Sequence, residues 1–400
     1  PVNLLEREQQ ADDYRALNPQ GLVPMVEIDG HRLTQSLAII TYLDLTLPDP
    51  PLIPRDPVDG AHVRALALTV ACDIHPLNNL RVLKYLSGEL GLPQEERDAW
   101  YIHWVREGLP ALEALAGPGA GRFLFGDEPT IADVCLVPQL YNARRYNVPL
   151  DDYPTLLRAD ENANMIEAFA AAYRMIAHYG WDDLIFTHLS ARIPGPEHHF
   201  LLNPYNLMFE EVTASSLIKV DVHGNPVEPT PFITNPAGFT IHSAIHMARD
   251  DAQAVMHLHT PAGQAVSAHS EGLLPLTQTA MLVRGDCAFH DYEGVAVDLG
   301  ERERLVADLG TKNAMILRNH GTLAVGKNVG ECFVRLYFLE RACQAQIMAL
   351  SAGDAINNPP QGAPEVTAEQ GQVGVALAAN LLAWPALKRK AYRLDPGFAT

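Results

Sequence analysis

The run AVMHLHTP places His257 and His259 two residues apart in an apolar, strand-like segment. The period of two along a strand turns both imidazoles to the same face. Sixty-one residues past His259, the run MILRNHGTLAVG reads as a second apolar strand ending at His320, with Gly321 behind it. A third imidazole then sits at a strand end, where clefts form. Three neutral ring nitrogens suit a divalent ion, zinc foremost and manganese or iron after it, and leave a coordination position for water or substrate. An HxH pair by itself equally fits ordinary, partly buried histidines. The Asn-His-Gly setting of His320 tips the reading toward a metal.

Other residues that could move protons lie nearby in sequence. His242 and His246 are one helical turn apart in GFTIHSAIHMA and share a face. With a pKa near neutrality either could serve as a base, or simply pack the helix. Glu210 and Glu211 in MFEEVTASSL, and His290, Asp291 and Glu293 in FHDYEG, either reach a pocket or form solvated turns.

The elements that must position these residues follow from the pattern of the chain. Its 400 residues exceed one average domain, so two or three cores are expected. Residues 22–29 read as a strand, with a tight turn at Gly30, a short strand through His31 to Thr34 and a helix from Ser36 to Leu45. Helical spacing covers 57–90, 94–116 and 131–146. Thr130 with Asp133 three residues on is an N-capping pattern that fixes the start of the third. Beyond Glu161–Gly180 the texture changes to short β-rich runs alternating with helices at 242–249, 301–309 and 329–350, as in an α/β layer fold. Residues 354–372 are polar and rich in Pro, Gly and Gln, which predicts a loop before a last helix near 373–387. Boundaries are therefore expected at 1–47, 48–162 and 163–400.

Acidic residues outnumber basic ones, 48 to 29, without a basic cluster, which excludes phosphate-backbone binding as the main task. The five cysteines form no C-x-x-C pair, so neither a disulfide framework nor a thiolate zinc site is expected, and a reducing cytoplasm fits. With no apolar run of about 18 residues, a soluble protein without membrane association is expected.

From about residue 165 to 390 the chain resembles the class II aldolase/adducin family, through GWDDLIFTHLSAR, NPAGFTIHSAIH, AVMHLHTP, ILRNHGTLAVG and ECFVRLYFLERACQAQ. The resemblance implies a three-layer α/β/α domain and a homotetramer with sites at subunit contacts. It also implies a metal on His257, His259 and His320 that holds a substrate's hydroxyl and carbonyl oxygens. The chain departs from the sugar-phosphate aldolases of that family at several positions. Their acidic general base falls at Gly238. Their phosphate cradle maps to a turn at His188-Leu189-Ser190, to Tyr205-Asn206 and to Pro236-Ala237, where few hydroxyls remain. Their tyrosine proton donor is replaced by the Gln278-Thr279 region, with Tyr292 further on. His242, His246 and Tyr292 are the candidates for proton transfer.

Residues 1 to about 165 resemble maleylacetoacetate isomerases, the zeta-like glutathione transferases, through NPQGLVPMVEIDG, LTQSLAIITYL, DIHPLNNLRVLKYL and PTIADVCLVPQLYNARRYNV. That implies a truncated thioredoxin-like fragment followed by an all-α domain. Pro24 would be a cis-proline, and Val23 would offer backbone bonds to glutathione. Gln35 and Ser36 would grip its γ-glutamyl carboxylate at a helix N-terminus, or act as ordinary caps. Arg145 and Asn79 would face the substrate. The strand and helix that activate the glutathione sulfur are expected before Pro1, so isomerase activity is expected to need them. The leading expectation is thus a metal-dependent lyase or epimerase-like enzyme for a small, non-phosphorylated hydroxy-carbonyl compound. A glutathione-dependent isomerase and a non-catalytic, adducin-like module are the alternatives.

Overall fold

The computed structural model describes residues 2–4, 6–47, 50–195, 197–294, 300–353 and 355–399. The chain divides into two compact units, Pro1–Ala163 and Asn164–Thr400. No helix among the described residues is long and apolar enough to cross a membrane.

In the first unit a short helix, Asp12–Leu17, is followed by an antiparallel hairpin of β1 (Met25–Ile28) and β2 (His31–Thr34). Asp29 and Gly30 both take positive φ, 51° and 78°, which matches the two-residue turn that follows the right-handed twist of paired strands. The Val23–Pro24 bond is cis, as the resemblance implied. A helix follows at Ser36–Thr46, and the rest of the unit is helical. The expected continuous run over 57–90 is broken. Helix Pro57–Leu68 passes through a π segment, Thr69–Ile74, into His75–Asn78, and Asn79 caps a new helix, Leu80–Gly88, by accepting from the amides of Arg81 and Val82. Asn79 competes with the helix backbone for those amides, which periodicity alone does not reveal. Val63, Leu66, Ile74, Val105, Leu109, Leu112, Leu136 and Leu140 form the core with helices Gln94–Ala116 and Ile131–Arg145. The second of these starts in the capping box of Thr130 and Asp133.

The second unit is built on a seven-stranded mixed sheet in the order β5-β4-β3-β6-β9-β8-β7. The strands are β3 (His188–Arg192), β4 (Phe200–Leu202), β5 (Ile218–Val220), β6 (Ala254–Leu258), β7 (Cys287–His290), β8 (Ala314–Leu317) and β9 (Gly321–Gly326). Only the β7–β8 pair is parallel among these neighbours. Alternation sorts the side chains into two cores. Met256, Leu258, Leu189, Ala191 and Ala324 pack on one face with Phe333 and Leu336 of helix Val329–Leu350. Val255, Leu323 and Val325 pack on the other with Ile241 and Ile245 of helix Pro236–Ala248 and with Leu305 and Leu309 of helix Glu301–Leu309. The result is the expected α/β/α layering.

One expectation about the tail is corrected and one is extended. A helix already begins at Ala363 and runs to Ala378, inside the stretch read as a loop. Packing decides this: Gly371 lies so close to helix Gln278–Arg284 that an added Cβ would come within 2.2 Å of the Leu282 carbonyl oxygen. The span 373–387 is helical as expected but belongs to a longer run, in which a π segment at Ala379–Ala383 leads into helix Trp384–Leu394.

Candidate metal centre

Register explains how histidines gather on one face of the sheet. In the antiparallel β3–β6 pair His188 lies opposite His257 and Ser190 opposite Val255. All four therefore face helix Pro236–Ala248, which carries His242 and His246. His259 follows just past the end of β6. His320 is not at the end of a strand running through MILRN, as the sequence suggested. It closes the tight connection between β8 and β9, where Asn319 takes φ 55°. The apolar residues on both sides of that turn hide it from periodicity. Behind it, Gly321 approaches so closely that a Cβ would fall 2.4 Å from the Leu258 carbonyl oxygen and 3.3 to 3.4 Å from the His259 and His257 rings.

The ligand atoms of His257, His259 and His320 lie within 4.8 Å of one another. Their hydrogen bonds assign the tautomers. His257 Nδ1 is 2.9 Å from the Thr322 carbonyl oxygen, which only accepts, so this nitrogen carries the proton. His259 Nδ1 is 3.2 Å from Asp183 Oδ2 and donates to it. Both Nε2 atoms are left bare, and they face each other at 2.8 Å. Burial, and then the neighbouring rings His320 and His259, hold His257 well below the usual imidazole range. Burial followed by His259 takes His320 down to about 4. Neutral imidazoles with their lone pairs converging are the donor set a divalent cation needs.

Beside this group is a second, fully enclosed one. His246 Nδ1 donates to the Ala252 carbonyl oxygen at 2.6 Å, so its Nε2 accepts from Ser190 Oγ at 2.7 Å. The Ser190 hydrogen being spent, Oγ accepts from His242 Nδ1, also at 2.7 Å. His242 Nε2 is buried without a hydrogen-bond partner. Its ring packs on His188 with centroids 4.2 Å apart, and His188 in turn stands 5.6 Å from His257. Burial is the chief reason both rings stay neutral, with His246 taken down to about 3 and His242 well below its usual value.

The remaining candidates are spread differently. Tyr292 is half exposed, with its ring 6.3 Å from that of His320. His290 is occupied by Asp308 at 2.7 Å and by Glu301 at 3.4 Å, Asp291 by Arg318 and Glu293 by Arg304. Glu211 accepts from the Met208 amide in a capping box, and Glu210 is exposed. His188-Leu189-Ser190 belongs to β3 and is no turn, because it is buried on both faces and paired with β6 in the middle of the sheet. Asn206 Oδ1 accepts from the Ile233 amide. The side chains of Pro236 and Ala237 and the surroundings of Gly238 lie outside what is described. In the first unit Gln35 stands at the N-cap of its helix but hydrogen-bonds Gln20, Ser36 opens that helix, Val23 is exposed and Arg145 bonds Asn142. Sequence reasoning passed over Asp183, Thr322 and Glu340. Of these, Glu340 alone left a signal, as an acid on the apolar stripe of Leu339, Ala342 and Cys343.

Residues 167–347 match the class II aldolase and adducin N-terminal domain, 94–174 the C-terminal and 1–45 the N-terminal domain of glutathione S-transferases. A class 2 aldolase homologue of Caulobacter vibrioides is 58% identical over 231 residues, covering 58% of this chain and 90% of the relative. The chain belongs to the class II aldolase/adducin family. An aldolase II superfamily protein of Pseudomonas syringae superposes with a TM-score of 0.56 at 48% identity, over 59% of this chain and 95% of that one. L-fuculose 1-phosphate aldolase from Glaciozyma antarctica gives 0.53 at 30% identity, over 60% and 94%. The N-terminal region resembles maleylacetoacetate isomerase of Rhizobium meliloti, 47% identical over 174 residues, or 43% of this chain and 82% of that protein. A class II aldolase-type domain is thus fused to an isomerase-like glutathione transferase region.

Proposed function

We propose that the second unit is a divalent-metal-dependent lyase or epimerase-like enzyme that acts on a small, non-phosphorylated hydroxy-carbonyl compound. The observation that carries this reading is the pair of bare Nε2 atoms of His257 and His259, 2.8 Å apart, whose protons are committed elsewhere. Two lone pairs so opposed repel unless a proton or a metal ion lies between them. His257, His259 and His320 would hold the ion. When bound, it supplies Lewis-acid polarisation of a substrate carbonyl and hydroxyl.

The chain's own residues do the rest. Asp183 and the Thr322 carbonyl orient the two rings. Tyr292, exposed and beside His320, is the group able to exchange a proton with substrate and solvent. His242 and His246 are enclosed with Ser190 and support the sheet face behind them. Likeness to an L-fuculose 1-phosphate aldolase favours aldol chemistry. Against a phosphorylated substrate stands Ser190, whose hydroxyl is spent between two rings. Each charge-assisted bond missing from a phosphate site costs about 1.5–3 kcal/mol.

Turnover of one aldol substrate with and without its phosphate, with metal supplied, tests this reading. Preference for the free sugar is expected, and preference for the phosphate ester at pH 8 contradicts it. A second reading, glutathione-dependent cis–trans isomerisation by the first unit, is favoured by its likeness to maleylacetoacetate isomerase. Calorimetric titration with glutathione tests it: absence of binding removes it.

A further inference from the structure

Glu340 lies in helix Val329–Leu350, fully buried under the face of the sheet opposite His257, and the chemistry above makes no use of it. Its Oε2 accepts from Thr260 Oγ1 at 2.5 Å and its Oε1 from Thr322 Oγ1 at 2.9 Å. The Thr260 oxygen also accepts from the Gly263 amide at 3.0 Å, so its hydroxyl hydrogen is directed at Glu340. Both threonines belong to the histidine segments. Thr260 is joined to His259, and Thr322 presents the carbonyl that receives His257 Nδ1. The space is closed, since a Cβ at Gly263 would meet Thr260 Oγ1 at 2.9 Å and Glu340 Oε1 and Thr322 Cγ2 at 3.0 Å. Burial pushes the Glu340 carboxyl up, and the two hydroxyl bonds pull it back. An apolar residue would fill such a site without the desolvation cost of a carboxylate. What the carboxylate adds is two directed bonds and a negative charge.

We propose that Glu340 is a positioning residue for the three-histidine centre: by bridging Thr260 and Thr322 it ties the end of β6 to the start of β9 and holds His257 and His259 convergent for a divalent cation. The inference rests on the metal-centre reading. Glutamine at 340 keeps the shape but replaces one acceptor by a donor and removes the charge. Valine at 322 removes one hydroxyl while leaving the carbonyl that orients His257.

The test is the zinc dissociation constant of the full chain, measured by competition with a chelating dye, for the wild type, Glu340→Gln and Thr322→Val. Glu340→Gln is expected to weaken zinc binding about 10–100-fold, and Thr322→Val to weaken it less, with far-ultraviolet circular dichroism unchanged. A merely structural role would lower the melting temperature of the metal-free protein and leave the dissociation constant within about twofold of wild type, which overturns the proposal. If Glu340→Gln fails to fold, Thr322→Val decides by the same criterion. Wild type that binds no zinc overturns the metal-centre reading together with this role, whereas wild-type binding matched by both variants overturns only the role of Glu340.

Discussion

His257 Nδ1 sits 2.9 Å from the carbonyl oxygen of Thr322, one residue beyond the glycine that follows His320. One strand pairing thus sets the tautomer of one histidine and the position of another, because β6 and β9 are neighbours whose register places Leu258 opposite Thr322.

Gly321 is where this arrangement tolerates least. A methyl group there would overlap the Leu258 carbonyl oxygen, which is backbone and cannot swing aside. Gly321→Ala should therefore part β6 from β9, destabilising the second unit by about 1–3 kcal/mol or more. It should also weaken divalent-metal affinity at least about tenfold, by analogy with lost outer contacts of metal ligands. Denaturant midpoints and calorimetric metal titration read the two effects. Wild-type values in both would show that the pairing does not position His320.

Ser190 joins two buried rings through one hydroxyl. Ser190→Ala leaves His242 Nδ1 and His246 Nε2 without partners in a place water does not reach. Each orphaned group costs about 1–3 kcal/mol. We expect a loss of about 2–4 kcal/mol in unfolding free energy by guanidinium titration. A change below about 0.5 kcal/mol, as for an ordinary surface substitution, would mean that the chain from Ala252 to His242 is not formed.

Acid should act through the same group. His246 has its pKa lowered to about 3 in the folded protein against 6.5 for an ordinary imidazole, chiefly through burial. Below pH 6.5 the unfolded chain takes up a proton that the folded one refuses, so stability is full above 6.5 and falls as pH drops toward 3. The slope is about 1.4 kcal/mol per pH unit for each such histidine. With chelator present, the denaturant midpoint should fall steadily between pH 6.5 and 5, a range in which most carboxylates do not yet titrate. An unchanged midpoint from pH 7.5 to 5 would contradict the burial of a neutral His246.

Much of this could be read along the chain where the determinant is local. The capping box of Thr130 and Asp133, the turn at Asp29-Gly30 and the helix over 329–350 each depend on residues a few positions apart. The nearness of His257 and His259 is legible from strand period, although His259 lies just past the end of β6 and is held by Asp183. What stayed hidden depends on pairing across the sheet. Ser190 meets His242 and His246 from 52 and 56 residues away, and Glu340 meets Thr260 from 80. His188 reads as part of a turn until β3 is seen lying against β6. The turn at His320 is masked because Leu317 and Leu323 keep the apolar pattern going on either side of it.

That His257, His259 and His320 together hold one divalent cation is tested most directly by metal content. The wild-type chain and the three variants His257→Ala, His259→Ala and His320→Ala would be loaded with zinc, dialysed against metal-free buffer and analysed by inductively coupled plasma mass spectrometry. About one ion per wild-type chain is expected, as for a mononuclear site, with a sharp loss in each variant. Equal occupancy in all four proteins, or none in the wild type, would contradict it.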